Sequence, residues 1–288
     1  GVDGQRCGLD HKAFAVIGYG KLGGIELGYG SDLDLVFIHD LDEQSETDGT
    51  KRISGAEFSI RVAQKFMSLM TTQTLDGRVY EIDTRLRPSG DAGMLVTSVK
   101  AYAQYQQKSA WLWEHQALVR ARSIAGDLQL CQKFEQTRCQ ILTQVRNENE
   151  VRAEVLKMRQ KMKDHLGSSS DQKKHGIFHL KQDAGGIVDI EFMAQYAVLA
   201  WSGSNPDLAH FSDNVRILED AARAGCLSSE DATALIQAYL RERAESHRLA
   251  LANQSMQVHA ADWHDTRKIV CKLWQRLIDP TATALDSE

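Results

Sequence analysis

The chain has 288 residues, enough for two ordinary domains, because a single core usually stops growing below about 250 to 300 residues. Hydrophobic residues make up 42% and charged residues 25%, which is typical of a soluble globular protein. The net charge of −5 argues against a surface built mainly to bind nucleic acid, so we expect no nucleic-acid partner. Since no apolar run approaches the roughly 18 residues of a membrane span, we expect no membrane partner and a cytoplasmic location.

The first part of the chain mixes strand and helix signals. Apolar runs predict strands at Phe14–Ile17 and Leu33–Ile38, and six glycines between them indicate a loop-rich connector. Ser54 is a candidate N-cap for a helix from Gly55 to about Thr72, where apolar residues recur at helical spacing. Alternation predicts another strand over Arg78–Arg87, which Pro88 ends.

From about residue 98 the pattern is almost entirely helical, apart from a polar break at 168–174 and a strand-like run at 176–180. Four later helices are predicted near 187–201, 213–224, 229–251 and 263–278. We therefore predict an α+β fold with a small mixed sheet over residues 1–135, followed by a mostly α-helical bundle over 136–288. The start of the chain, without Met, indicates a piece of a longer protein.

Two carboxylates stand at the start of the second predicted strand. Asp32 and Asp34 are two residues apart, so their side chains point to one face, while Leu33 and Leu35 point to the other. Like charges this close repel each other, and a hard cation with oxygen ligands is the usual reason for tolerating them. Taken alone, the pair is at least as well explained by a solvated loop.

Asp83 lies on a different predicted strand and favours a metal site over a solvated loop. If the two strands are neighbours, three carboxylates converge, which is enough to hold two Mg²⁺ ions for an in-line phosphoryl displacement. Arg85 and Arg87 share the face of Asp83 and would stand where triphosphate oxygens need neutralising. Alternatively, the two arginines balance the acidic cluster, and both interpretations can hold together.

A dinucleotide-binding fold competes for the same stretch. Gly18-Tyr-Gly-Lys-Leu-Gly23 matches Gly-x-Gly-x-x-Gly after a strand, and Asp40 follows Gly23 by 17 residues, near the place of a ribose-binding acid. The connector argues against this fold, because a crossover helix would have to contain several glycines, each costing about 1 kcal/mol relative to Ala. A Walker A loop is excluded, since no Gly-Lys-Ser/Thr occurs.

Two other clusters are explained structurally. We expect Trp111 and Trp113 to be packing residues, with Arg120 among the salt-bridge residues near them. Asp189 and Glu191 lie in the first turns of a predicted helix after two glycines and would favour its N-terminus electrostatically.

Four runs together resemble bacterial glutamine synthetase adenylyltransferases, members of the polymerase β-like nucleotidyltransferases. They are residues 18–37, which include Gly-Tyr-Gly-Ser-Asp-Leu-Asp-Leu-Val-Phe, then Asp-Thr-Arg-Leu-Arg-Pro at 83–88, Trp-Glu-His-Gln-Ala-Leu-Val-Arg-Ala-Arg at 113–122, and Asp-Ala-Gly-Gly-Ile-Val-Asp-Ile-Glu-Phe at 183–192. The resemblance extends to about residue 255.

That family implies two related halves, one removing AMP from glutamine synthetase and one attaching it. Residues 28–34 resemble the C-terminal, adenylylating half of this multifunctional enzyme, a regulator of nitrogen metabolism. One departure concerns the superfamily's glycine pair, which usually stands further from the first aspartate than the seven residues between Gly24 and Asp32. Which glycines contact phosphate therefore stays open.

The resemblance also implies roles for single residues. Asp32 and Asp34 would bind both Mg²⁺ ions, and Asp83 would bind the catalytic one and help to deprotonate the nucleophile. The nucleophile would be a tyrosine hydroxyl of glutamine synthetase, which attacks the α-phosphorus of ATP and displaces pyrophosphate. The candidate ATP-binding residues are Lys21, Gly23, Gly24, Ser31, Arg85 and Arg87.

The partners that the resemblance implies are glutamine synthetase as protein substrate, a PII signal protein as regulator and glutamine as effector. Two alternatives stay open. The chain could be the deadenylylating half, which uses phosphate and releases ADP, or a non-catalytic module that binds nucleotide or a partner.

Overall fold

The computed structural model describes residues 13–42, 44–48, 50–75, 77 and 80–281. It divides into two compact units, unit 1 ending at Ile141 and unit 2 beginning at Leu142. The domain boundary predicted after residue 135 falls within the helix that ends unit 1, and it stays a prediction. None of the helices in the described part of the chain is long and apolar enough to cross a membrane.

Unit 1 contains a small mixed sheet. Its strands are β1 Phe14–Gly18, β2 Leu33–His39, β3 Ile82–Asp83, β4 Val96–Ser98 and β5 Arg122–Gly126. β1 pairs antiparallel with β2 and β5, whereas β3 and β4 pair parallel with successive parts of β2. Because β1 and β2 are antiparallel neighbours, they cannot form the parallel βαβ unit of a dinucleotide-binding fold.

The helices of unit 1 are α1 Gly20–Gly23, α2 Gly55–Met70, α3 Val99–Lys108, α4 Leu112–Val119 and α5 Leu128–Leu142. α2 begins as predicted, because the Ser54 hydroxyl accepts a hydrogen bond of 3.2 Å from the backbone N–H of Glu57. Ala63 of this helix belongs to the core that Leu33, Leu35 and Phe37 of β2 form on one face of the sheet.

Unit 2 is mostly helical, with one two-stranded antiparallel sheet. Its elements are α6 Glu148–Leu166, α7 Ser170–Lys174, β6 Ile177–His179, α8 Ile187–Trp201, α9 Asn214–Arg223, α10 Ser229–Leu251, β7 Gln257–His259 and α11 His264–Leu277. α8 packs against α6, α9, α10 and α11, and most of its side chains are buried. The predicted class, a small mixed sheet followed by a helical part, is confirmed.

Three predicted elements were wrong in detail. The strand predicted over Arg78–Arg87 is only Ile82–Asp83 within the described residues, which leave out 78 and 79. Turns follow it because Ser89 has φ of +62° and the Gly90 N–H donates to the Arg87 carbonyl. The region predicted to be almost entirely helical also contains β5, and the predicted polar break contains the short helix α7, capped by Ser169.

Candidate active site at the start of strand β2

Asp34 lies on the face of β2 opposite its apolar neighbours. Leu33 and Leu35 are buried in the core that includes α2, while Asp34 is half-buried and Asp32, just before the strand, is exposed. The backbone here is fixed on both sides, since the Tyr19 N–H donates to the Asp34 carbonyl and the Leu33 N–H donates to the Glu81 carbonyl. The alternation predicted from the sequence is thus present in the fold.

Asp83 is the register partner of Asp34 on the adjacent parallel strand β3. Paired residues of parallel strands lie about 4.8 Å apart and point to the same face, so the sheet brings these two carboxylates together. Asp83 accepts hydrogen bonds from the backbone N–H and the guanidinium of Arg85, each at 2.8 Å. The guanidinium bond lowers the pKa of Asp83 below its usual value, outweighing the partial burial that would raise it.

The described carboxylates do not form a ready-made metal-binding cluster. Among the residues that the structure describes, no three Asp, Glu, His or Cys side chains lie together closely enough to hold a metal ion. The Arg85 side chain is 74% exposed, so the group that pairs with Asp83 stands at the surface. The three predicted ligands share one sheet edge, and their role stays a prediction.

The glycine-rich connector comes close to Asp34. Gly20 has φ of +54°, and a Cβ built on it would lie 2.3 Å from Oδ2 of Asp34. Only glycine meets both the left-handed backbone and this approach without displacing the carboxylate. The backbone at Gly20 is therefore a cradle against which the carboxylate of Asp34, a predicted metal ligand, lies directly.

Two candidate ATP-binding residues meet in the connector. The Lys21 ammonium donates a hydrogen bond of 3.3 Å to the Ser31 hydroxyl, which also accepts one of 3.2 Å from the N–H of Gly28. Ser31 is buried. These contacts hold the lysine against the loop that leads into β2.

Gly23 and Gly24 have a visible packing role. Their backbone N–H groups donate to the carbonyls of Tyr19 and Gly20. A Cβ on Gly23 would lie 2.1 Å from the backbone carbonyl oxygen of Arg120, and one on Gly24 would lie 2.7 Å from its guanidinium. Close packing against Arg120 thus accounts for both glycines, and their predicted contact with phosphate stays untested.

Arg87 differs from Arg85 in its surroundings. Its guanidinium donates to the carbonyl and the hydroxyl of Thr84, each at 2.9 Å, and to the carbonyl of Gly93 at 3.3 Å. Its side chain is only 12% exposed. Arg87 therefore stabilises the turn after β3, and its predicted contact with the triphosphate remains a prediction.

The sequence predicted Arg120 as a salt-bridge residue but did not indicate that Arg120, just after α4, and Arg122, in β5, support the connector. Arg120 forms a buried ion pair with Glu26, 94 residues away along the chain. Arg122 donates to the carbonyls of Gly23 and Leu22, at 3.3 and 3.4 Å. The run at 113–122 contains both arginines, but nothing local in it indicates that they reach the connector.

The tryptophans of that region do not pack as predicted. Trp111 is 71% exposed and Trp113 is 43% exposed. The Glu114 carboxylate caps the first turn of α4 by accepting from the Trp111 N–H at 2.9 Å. Trp111 is the N-cap residue and Trp113 lies in the first turn, and at this helix start both indole rings are partly in solvent.

The glycine-containing run at 183–192 is a structural element of unit 2. Asp189, in the first turn of α8, is buried and accepts from the Arg159 guanidinium at 2.5 Å and from the Gly185 N–H at 2.7 Å. Asp183 accepts from the N–H groups of Ser168 and His179, both at 2.7 Å. Burial alone would raise the pKa of Asp183, but these hydrogen bonds lower it below its usual value.

Comparisons with known proteins assign the family. Residues 3–137 match the model of the glutamate-ammonia ligase adenylyltransferase family, and residues 154–269 match that of GlnD PII-uridylyltransferase. The chain is 84% identical over its whole length to a bifunctional glutamine synthetase adenylyltransferase/adenylyl-removing enzyme of Acinetobacter baylyi, of which it covers 31%. It is 50% identical over 284 residues to the protein of the same name from Pseudomonas aeruginosa, covering 96% of this chain and 29% of that one. The chain thus spans less than a third of the length of these relatives, and its residues 3–137 form a domain of the glutamate-ammonia ligase adenylyltransferase family.

Proposed function

We propose that this chain transfers AMP from ATP to a tyrosine hydroxyl of glutamine synthetase and releases pyrophosphate. The observation that carries the proposal is the pairing of Asp34 with Asp83 on adjacent parallel strands, with Asp32 two residues before Asp34. Paired carboxylates on one sheet face are suited to phosphoryl transfer with metal ions. The relatives named above supply the substrate class, because their name joins adenylyltransferase to glutamine synthetase.

The residues present fit Mg²⁺ in their chemistry. Asp32, Asp34 and Asp83 offer the carboxylate oxygens that this cation prefers, and the lowered pKa of Asp83 keeps its carboxylate ionised at neutral pH. The cradle at Gly20 allows Oδ2 of Asp34 to lie against the connector, where a side chain at position 20 would displace it. When bound, Mg²⁺ would neutralise charge on the triphosphate and lower the pKa of the attacking hydroxyl. To hold the cation, Asp83 would have to give up its hydrogen bonds from the Arg85 guanidinium.

Released from Asp83, Arg85 becomes available for a phosphate oxygen. Its side chain is 74% exposed and long enough to turn, and a guanidinium forms paired hydrogen bonds with phosphate. Lys21 and Ser31, already in contact, are the connector's candidates for the same ligand. Arg87 has the least support among the proposed ATP-binding residues, because its guanidinium already donates hydrogen bonds within the turn after β3.

In the proposed reaction, the tyrosine oxygen bonds to the α-phosphorus as the bond from that phosphorus to the bridging oxygen breaks. Pyrophosphate leaves with the electron pair, and the hydroxyl proton passes to a carboxylate oxygen or to solvent. A tyrosine hydroxyl has a pKa near 10, so it needs assistance at neutral pH. Because its own pKa is lowered, Asp83 is a weak proton acceptor, and its main role is that of a metal ligand.

Regulation by a PII signal protein and by glutamine belongs to the same proposal. Residues 154–269 match a family whose name contains PII, which supports unit 2 as the part that responds to that protein. The glutamine response rests on the family resemblance alone. A cytoplasmic location follows from the proposed substrate, a cytoplasmic enzyme.

The test is transfer of label from ATP carrying ³²P at the α-phosphate to unmodified glutamine synthetase, with Mg²⁺ present. The wild-type chain should label the acceptor, and Asp34→Asn should reduce the rate by at least about 100-fold, because a metal ligand acts mainly in the transition state. Phosphopeptide analysis should place the label on a tyrosine.

The matched control is Asp40→Asn, which changes an exposed carboxylate just past the other end of β2, where it pairs with Lys133. Its rate should stay near that of the wild type. Absence of labelled glutamine synthetase with the wild-type chain would reject the proposal. Release of ADP from adenylylated glutamine synthetase in the presence of phosphate would instead assign the adenylyl-removing direction.

A further inference from the structure

A pocket of about 540 Å³ lies within unit 2. Its volume is within the range of small-molecule sites, which measure about 300 to 1,000 Å³. Its walls come from α6, α7, β6, the run before α8, the turn after β7 and α11. Elements so widely separated in the sequence converge here, so the pocket is a product of the fold of this unit.

The pocket is strongly cationic. Lys163, Lys173, Lys174 and Arg267 line it, and Asp183 is its one acidic residue. None of the three lysines forms an ion pair with a residue that the structure describes. Four permanent positive charges against one negative charge attract a multiply charged anion, and the concave wall concentrates this field.

Asp183, the one acidic residue of the pocket lining, already accepts hydrogen bonds from the backbone. Both oxygens of Asp183 accept backbone hydrogen bonds, from Ser168 and His179, and the residue is only 2% exposed. Its carboxylate organises the backbone at one wall of the pocket, and the nearby charge of Lys173 adds to the hydrogen bonds that lower the pKa of Asp183. One negative charge still leaves the pocket with an excess of positive charge.

The remaining lining is suited to a ligand with an uncharged part. Ile177, Ala184 and Ala260 are small or apolar wall residues. Arg267 is held in place, since its Nε donates to the Ala184 carbonyl at 3.2 Å and its guanidinium lies 4.4 Å from the centre of the Phe178 ring. A fixed guanidinium beside mobile ammonium groups is a typical arrangement for binding phosphate.

We propose that this pocket binds a small phosphorylated molecule, a phosphate ester or a nucleoside phosphate, at a site in unit 2 that is separate from Asp32, Asp34 and Asp83 in unit 1. The lysines and Arg267 bind the phosphate, and the apolar wall contacts the ester or nucleoside part. The site would let a phosphorylated metabolite act on unit 2 without occupying the place of ATP.

The test is isothermal titration calorimetry of the chain with ADP and with inorganic phosphate, in buffer that contains EDTA. Without divalent cations, the metal-dependent binding proposed for unit 1 is suppressed. ADP should bind the wild type, and Lys173→Gln/Lys174→Gln should weaken it by at least about tenfold, because two charges that face the phosphate are lost. Both lysines are exposed, so this variant should fold normally.

The matched control is Lys157→Gln/Lys161→Gln, which removes the same charge from exposed positions of α6 outside the pocket and should leave the affinity unchanged. Raising the salt concentration should weaken binding to the wild type. Equal affinities of the pocket variant and the wild type would overturn the proposal, as would tighter binding of succinate than of phosphate.

A further variant separates this proposal from that for unit 1. ADP should bind Asp34→Asn in EDTA as it binds the wild type, whether or not the chain transfers AMP. Loss of binding in Asp34→Asn would place the nucleotide in unit 1 and reject the pocket as its site.

Discussion

Glu242, in the middle of α10, makes the stability of unit 2 depend on pH. Its side chain is fully buried, and neither carboxylate oxygen has a hydrogen-bond partner among the described residues. Burial raises the pKa of Glu242 well above its usual value, and the nearby charge of Asp189 raises it further. Arg241 on the same helix and Arg267 on α11 oppose this effect without cancelling it.

The sign follows from comparing the folded and unfolded chains. An unfolded glutamate ionises near pH 4.3, whereas folded Glu242 keeps its proton to a much higher pH. Between these two values unfolding releases a proton, so the free energy of unfolding falls by about 1.4 kcal/mol per pH unit. From pH 5 to pH 7 the loss is about 2.7 kcal/mol if the folded pKa exceeds 7, and smaller if it does not.

Glu242→Gln removes this dependence, because an amide of the same shape does not titrate in this range. The difference in unfolding free energy, variant minus wild type, should therefore rise with pH from 5 upward and level off at the folded pKa. Urea unfolding followed by far-UV circular dichroism at pH 5, 6, 7 and 8 measures it. Any constant cost of burying the amide shifts all four points equally and leaves the slope intact.

Glu245→Gln, on the same helix, is the control. The hydrogen bond from Arg248 lowers the pKa of Glu245 below its usual value. Folded and unfolded chains therefore both carry this glutamate ionised above pH 5, and the difference should be flat between pH 5 and 8. A flat difference for Glu242→Gln as well would refute the reasoning, because it would mean that Glu242 is ionised in the folded protein.

Two further predictions concern unit 1. Gly20→Ala should lower the rate of AMP transfer by at least about tenfold, because the new methyl group displaces the Asp34 carboxylate. The free energy of unfolding should fall by only about 1 to 2 kcal/mol, the strain of an alanine in a left-handed conformation. A wild-type rate would contradict the role of the cradle at Gly20. Glu26→Gln should lower the free energy of unfolding in urea by about 3 kcal/mol, since it removes the carboxylate of a buried ion pair with Arg120. Glu57→Gln, in an exposed pair, should lower it by less than about 1 kcal/mol, and equal losses would contradict a special contribution of the buried pair.

The sequence predicted the part of the site that follows from local pattern. The alternation around Asp34 and the N-cap at Ser54 depend on residues within a few positions, and both are present in the fold. The ion pair of Glu26 with Arg120 joins positions 94 residues apart, and no local periodicity records such a contact. Arg87 was misplaced because the alternation in the sequence continues past Asp83, where β3 ends, into a turn closed by the Arg87 N–H and the Thr84 carbonyl.

The glycines of the connector show why motif matching alone misleads here. Read as a phosphate-binding signature, they suggested a dinucleotide fold, yet two of them are explained by packing against Arg120 and one by the approach of Asp34. The connector is thus held from α4 and β5, where Arg120 and Arg122 contact it. Since Tyr19 at its start donates to the Asp34 carbonyl, this support extends to the backbone of a predicted metal ligand. The run at 113–122 therefore contributes to the site by positioning the connector. This role explains why the run belongs to the site although none of its residues is a predicted metal ligand.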